Sequence, residues 1–214
     1  MAIRSSRHHT TSHIVAPTIK VYEDGAQMFL KRWTARPKRS SVLLTEWMAG
    51  LLRGAPVLDL GCGGGQDAQV LRRKGFQVVG MDLTAAFLCV AREAVPSLPL
   101  VRADMRELPF RAASFDGVWA AASLIHLPKA DATRVLKALR LLAKPGATLA
   151  ATLTYGTKSG LLTKGWMPGR YFARWKKDEL ARALRRAGWQ VLSLRVVSNQ
   201  ERKGRWINVI ARRD

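Results

Sequence analysis

Three aspartates hold positions from which carboxylates can do chemistry, because each sits at the end of a short apolar run rather than in a polar loop. Asp59 lies within Val57-Leu58-Asp59-Leu60, Asp82 closes the run 77–81, and Asp104 follows the run 98–101. After the first run comes Gly61-Cys62-Gly63-Gly64-Gly65, a turn in which the missing side chains let a ligand approach the backbone. These glycines are ambiguous alone, since Gly63, Gly65 and Ala68 also satisfy the G-x-G-x-x-A spacing of dinucleotide sites. The acids separate the two readings. Asp59, two residues before the turn, would repel a pyrophosphate and attract a cationic aminoacyl group. Asp82, 21 residues after Gly61, is placed to accept from both hydroxyls of a ribose. Asp104 beside Met105 is placed to receive an exocyclic adenine amine and to line the ring with apolar atoms. Together they describe a cationic adenosine ligand.

Such acids need adjacent strands to carry them. From residue 55 onward, β-rich runs at 56–60, 77–81, 98–101, 115–121 and 148–154 alternate with helical segments at 67–74, 84–95 and 129–142, which is the pattern of βαβ units in a parallel sheet. A basic amphipathic helix over 177–187 precedes runs at 190–197 and 206–211 that pair as an antiparallel hairpin. The expected fold is α/β: a doubly wound, mostly parallel seven-stranded sheet with an antiparallel last strand and helices on both faces. Residues 16–54 hold two helices, 22–33 and 41–52, that cover the site, and 1–15 read as a mobile tail. The segment 155–175, rich in Gly, aromatics and cations, reads as a lid inserted in the 55–214 domain.

The chain carries 36 Lys and Arg against 15 Asp and Glu in 214 residues, a net charge of +21. The excess is uneven. Residues 55–110 balance 6 basic against 6 acidic side chains, whereas 155–214 hold 15 against 4. An anionic partner should therefore meet the ends of the chain rather than the acid-bearing block. No apolar run is long enough for a membrane span and the first residues lack a signal-peptide core, so a cytoplasmic protein is expected. Cys62 and Cys89 form neither a disulfide framework nor a metal spacing, and no metal is expected.

The motifs DLGCGGG (59–65), VVGMDL (78–83), RADMRELPF (102–110), SFDGVWAAASLIHL (114–127) and LAKPGATL (142–149) resemble those of the class I, seven-stranded S-adenosylmethionine-dependent methyltransferases, and most nearly the ubiquinone-biosynthesis-like branch that modifies small molecules. The resemblance implies S-adenosylmethionine as cofactor and S-adenosylhomocysteine as product. It assigns the methionine moiety to Asp59, Gly61, Cys62, Gly63 and Gly65, the ribose to Asp82 with Leu83, the adenine to Asp104 and Met105, and the border of the sulfonium to Ala120.

Methyl transfer from a sulfonium is an in-line displacement, so orientation and desolvation matter most and a base is needed only for protonated acceptors. His126, six residues after Ala120, is the candidate base; the competing role is packing after the fourth strand. Tyr22 and Trp33 near the N-terminus, with Tyr171 in the lid, can close over the acceptor, and Arg32 and Arg170 can grip an acidic one. A small, acidic molecule is thus the expected acceptor. The alternative is RNA or DNA, suggested by the charge; against it, the fourth run ends in AAASLIHL rather than Asn/Asp-Pro-Pro-aromatic, and neither cysteine is placed as a nucleophile. A non-catalytic cofactor-binding protein is a third reading.

Overall fold

The computed structural model describes residues 9–34, 41–199 and 204–214. Strands β1 (Pro56–Leu60), β2 (Gln77–Asp82), β3 (Leu100–Arg102), β4 (Phe115–Ala121) and β5 (Ala143–Tyr155) are parallel and stand in the order β3-β2-β1-β4-β5. Two-residue β6 (Gly160–Leu161) and β7 (Tyr171–Phe172) form a small ladder of their own, and β8 (Arg174–Trp175) adds to the main sheet beside the end of β5. The hairpin of β9 (Trp189–Asn199) and β10 (Gly204–Arg213) completes the sheet, with β10 running antiparallel to both β5 and β9 between them. The seven expected strands are present. The eighth, β8, arises within a segment whose Gly and aromatic content reads as irregular.

Alternation along the strands divides the core in two. Leu58, Leu60, Val118, Ala120, Leu149 and Ala151 pack with α5 (Lys129–Leu142) and α6 (Lys177–Arg186). Val57, Val78, Trp119 and Ala150 face the other way, toward α2 (Val42–Ala49) and α3 (Gln66–Arg73). On that second face Trp47 of α2 stacks on Trp119 with ring centres 5.5 Å apart, and its indole N–H donates to Thr148 Oγ1. Gly117 permits this approach: a Cβ there would stand 2.7 Å from Trp47 Cζ2. Asp67, in the first turn of α3, accepts from the Trp119 indole. The bulge between Phe115 and Gly117 lets β5 begin at Ala143 rather than after the Lys144-Pro145-Gly146 turn, and Lys144 pairs with Asp116 at 2.9 Å.

The N-terminal region differs from expectation. Helix α1 spans His9–Thr34, so residues 9–15, expected as tail, are helical, and residues 1–8 lie outside the described residues. The cause is a buried stripe, Val15, Thr18, Tyr22, Ala26 and Leu30, whose three- and four-residue spacing is masked in the sequence by neighbouring His, Thr and Lys. Helix α2 stops at Ala49, shorter than expected; Ser41 caps it by accepting from the Leu44 N–H. Thr84 sits at the N-terminus of α4 (Ala85–Ala94), yet its side chain makes no cap bond. Glu23 of α1 supplies the cap instead, accepting from the Ala85 and Ala86 N–H groups at 2.7 and 3.1 Å. No helix of the described residues is long and apolar enough to cross a membrane.

Candidate functional site

The carboxyl ends of β1, β2 and β4 open into a cavity of about 530 Å3, roofed by α1 and the segment between β5 and β8. Its floor is the glycine turn. The Gly61 and Cys62 N–H groups both donate to the Met81 carbonyl, at 2.7 and 3.0 Å, and Gly63 N–H donates to Asp82 Oδ2 at 2.9 Å, folding the turn against the end of β2. Gly61, Gly63 and Gly65 all have positive φ, but for different ends. A Cβ on Gly61 would meet Ser123 Cβ at 2.4 Å, and one on Gly65 would meet Ala91 at 3.2 Å; both serve packing. Gly63 alone of the three faces open space, and it lines the cavity where a ligand can lie on the backbone.

Asp59 is only 2% exposed, and its Oδ2 has no hydrogen-bond partner among the described residues. Burial pushes its pKa well up, and the nearby Asp67 and Asp82 carboxylates push the same way, while the Ala68 N–H opposes them. A buried carboxylate set among other acids wants a cation. The ammonium of a methionine moiety is such a group, so the residues fit S-adenosylmethionine at this point. Asp82 is also raised by burial, countered by its hydrogen bonds from the Thr84 and Gly63 N–H groups. Each of its oxygens thus holds one backbone donor and keeps acceptor capacity for ribose hydroxyls. Cys62 packs its thiol toward Gly80, and burial holds the thiol protonated by raising its pKa. Leu83 and Met105 line the cavity.

Two expected cofactor contacts stand differently. Asp104 lines the cavity, but Arg106 grips both its oxygens through Nε and Nη2, at 2.6 to 3.0 Å, and the Arg106 backbone N–H adds a further bond. Its carboxylate is thereby largely engaged within the loop, a local Asp-x-Arg pairing that strand position alone does not reveal. Ala120 is fully buried in the core and does not line the cavity, because strand alternation turns it toward α5. Ala121, Ala122 and Ser123 take its place. Ala122 holds φ 56°, a left-handed conformation uncommon for alanine, and the buried Ser123 Oγ has no partner among the described residues.

His126 lies in the turn Leu124–His126 after β4 and lines the cavity. Its ring is hemmed in by Tyr22 and Phe172, with centres 5.3 and 5.0 Å away, and this dry setting lowers its pKa to about 4. The Tyr171 backbone carbonyl opposes that shift and the Arg170 cation adds to it. Arg170 is 6% exposed: Nε and Nη2 donate to the Met167 and Trp166 carbonyls, Nη1 donates to Tyr22 Oη, and no carboxylate among the described residues pairs with it. Trp166 stacks on Phe29 and carries both Arg32 and Arg170 against its ring. Tyr171 contributes through its backbone, its N–H donating to Thr18 Oγ1. The Trp33 side chain lies outside the described residues. Thr18, Glu23, Phe87 and Ser123 escape a sequence reading because nothing in their spacing separates them from ordinary helix and turn residues.

The lining is divided by charge. Asp59, Asp67, Asp82 and Asp104 come from the β1–β3 side, whereas Arg32, Lys164, Arg170, Arg174 and Arg205 come from α1, the roof segment, β8 and the start of β10.

Residues 57–146 match the methyltransferase domain family. The chain is 35% identical over 168 residues to the ubiquinone biosynthesis O-methyltransferase of Paracidovorax citrulli, an alignment covering 70% of each protein. It is 32% identical over 159 residues to the enzyme of the same name from Acinetobacter baylyi, covering 65% of each. Among solved structures, the fold is similar to that of the 1,6-didemethyltoxoflavin-N1-methyltransferase of Burkholderia thailandensis, determined with 1,6-didemethyltoxoflavin and S-adenosylhomocysteine bound. That likeness has a TM-score of 0.75 at 21% identity and covers 100% of this chain and 92% of that one. A SAM-dependent methyltransferase of Methanosarcina mazei gives a TM-score of 0.72 at 19% identity, over 82% and 99% of the two chains. With its sequence kinship, its glycine turn and its buried Asp59, the chain belongs to the class I S-adenosylmethionine-dependent methyltransferases, and S-adenosylmethionine is its cofactor.

Proposed function

We propose that the protein transfers a methyl group by direct in-line displacement to a small, acidic molecule held against Arg170. The observation that carries this reading is the buried Arg170 guanidinium, which has no carboxylate partner among the described residues although it lines the cavity. Burying an uncompensated cation is costly, and an anionic ligand group would offset that cost. Around it Phe29, Trp166 and Phe172 supply apolar walls, so the acceptor has a flat or apolar body and an acidic head. A cavity of about 530 Å3 is of the size of small-molecule sites, roughly 300–1,000 Å3, and has room for the cofactor and a compact acceptor. The sulfonium supplies an electrophilic carbon with a good leaving group. The protein's part is to hold the donor through the acid side, hold the acceptor through the basic side and keep water out.

The competing reading, transfer to RNA, rests on the net charge of +21. Of the 15 basic residues in 155–214, the exposed Arg182, Arg185 and Arg186 of α6 stand away from the cavity, whereas Lys164, Arg170, Arg174 and Arg205 line it. Supplying labelled cofactor to a cell extract and fractionating the product tests the two. The label is expected among small molecules retained on an anion exchanger, and Arg170→Met is expected to raise the acceptor KM by at least about tenfold, in line with loss of a charge-assisted contact. Label in RNA, with tight binding that weakens steeply as salt is raised, would establish the competing reading.

A further inference from the structure

We propose that Tyr22 is the residue that takes the proton from the methyl acceptor, passing its own phenolic proton to His126 behind it. This rests on the reading of the site as a methyl-transfer site for an acidic acceptor.

The direction of the relay follows from hydrogen-bond chemistry. His126 Nδ1 is 2.8 Å from the Tyr171 carbonyl oxygen. A carbonyl only accepts, so Nδ1 carries the hydrogen, and in the neutral ring Nε2 keeps its lone pair. Tyr22 Oη lies 2.9 Å from that nitrogen, and the phenol must therefore donate to it. The basic atom of His126 is consequently taken up by the Tyr22 hydroxyl, and both residues line the cavity, so a proton leaving an acceptor there reaches His126 Nε2 through the Tyr22 oxygen. Arg170 Nη1 donates to the same phenolic oxygen at 3.1 Å, which stabilises negative charge there as the proton leaves.

The surroundings fix both members. Tyr22 is wedged against Phe29 and Phe87, with ring centres 5.3 and 5.4 Å away. Thr18, one turn earlier in α1, accepts from the Tyr171 N–H, so α1 also holds the residue whose carbonyl sets the histidine tautomer. In the step itself the acceptor X–H proton moves to Tyr22 Oη while the phenolic proton moves to His126 Nε2. The X–H electron pair forms the X–CH3 bond, and the CH3–S bond breaks with its pair going to sulfur. His126 then returns the proton to solvent, so that X–H and a sulfonium become X–CH3, a thioether and one released proton. Tyr22 is the catalytic residue; His126 acts through it.

Two measurements test the relay. Nitrogen-15 NMR of histidine-labelled protein with S-adenosylhomocysteine bound reads the ring without any acceptor. A protonated Nδ1 and a bare, hydrogen-bonded Nε2 are expected at neutral pH, with the Nε2 resonance displaced in Tyr22→Phe. A proton on Nε2, or a resonance indifferent to the substitution, overturns the relay. Methyl transfer is then followed with a panel of hydroxybenzoates as probe acceptors. Tyr22→Phe and His126→Gln are each expected to lower kcat by about 10²–10⁴-fold, with cofactor affinity held, and the double variant is expected to be no slower than the worse single one. Full kcat in Tyr22→Phe overturns the proposal. Failure of the acidic-acceptor reading has a separate signature: an Arg170→Met enzyme with unchanged KM while the NMR pattern stands.

Discussion

Asp59→Asn separates what the fold needs from what the ligand needs. In the wild-type protein a buried carboxylate faces Asp67 and Asp82 with one oxygen lacking a partner among the described residues. Asparagine has the same shape, can still accept from the Ala68 N–H, and presents an amide donor where the lone oxygen stood. An unsatisfied buried polar group costs about 1–3 kcal/mol, so the ligand-free variant is expected to be more stable by that order at pH 7. For a protein of this size the gain is a rise of roughly 2–12 °C in Tm. The sign with pH follows from the raised folded-state pKa. The wild-type carboxyl is compatible with the fold while protonated, below about pH 4, and stability is lost as pH rises from there through the folded pKa. The variant lacks this loss. Cofactor binding should move the other way, because a charge-assisted contact worth roughly 1.5–3 kcal/mol disappears, a fall in affinity of about 10- to 150-fold. Thermal melts with and without S-adenosylmethionine, combined with titration calorimetry, read both effects. A destabilised apo variant with unchanged cofactor affinity would refute the assignment of Asp59 as the seat of the cofactor's positive group.

Asp82→Ala is expected to abolish the cofactor-induced rise in Tm, since it removes the ribose acceptor and the oxygen that holds Gly63; a retained rise would count against both roles. Gly61→Ala places a methyl group 2.4 Å from Ser123 Cβ at a φ of 74° and should destabilise by several kcal/mol, read as a large drop in urea midpoint. Glu23→Ala removes the acceptor at the start of α4 and should cost about 0.5–2 kcal/mol, checked by denaturant unfolding. His126, with its pKa lowered to about 4, contributes stability that is complete above pH 6.5 and lost as pH falls toward 4, about 3 kcal/mol in all; His126→Gln should flatten that part of the stability profile.

The cofactor side was legible because its signals are local. A carboxylate at a strand end, a glycine turn beside it and an apolar run before it are readable one segment at a time, and Asp59, Gly63 and Asp82 line the cavity where that logic puts them. Ala120 failed by one residue because alternation, rather than sequence distance, decides which side chain of β4 faces the cavity. Asp104 differed because Arg106, two residues on, competes for its oxygens. The acceptor side was legible only as a set of residue types. Its geometry depends on α1 meeting the roof segment, through contacts such as Tyr22 with His126 and Thr18 with Tyr171, which span 104 and 153 residues. Glu23 illustrates the limit: an acid in mid-helix reads as solvent-facing, yet it caps a helix more than sixty residues away.

The reversed strand β10 carries a consequence for how the sheet is assembled. Among the described residues β9 has no ladder partner except β10, and β10 alone joins it to β5. The parallel strands can pair in the order in which they emerge during synthesis, but β9 must wait, tethered behind α6, until the segment after it inserts between it and β5. A chain shortened by residues 204–213 therefore loses two strands rather than one, leaves the edge of β5 open beside β8, and becomes a template for joining another chain's strand.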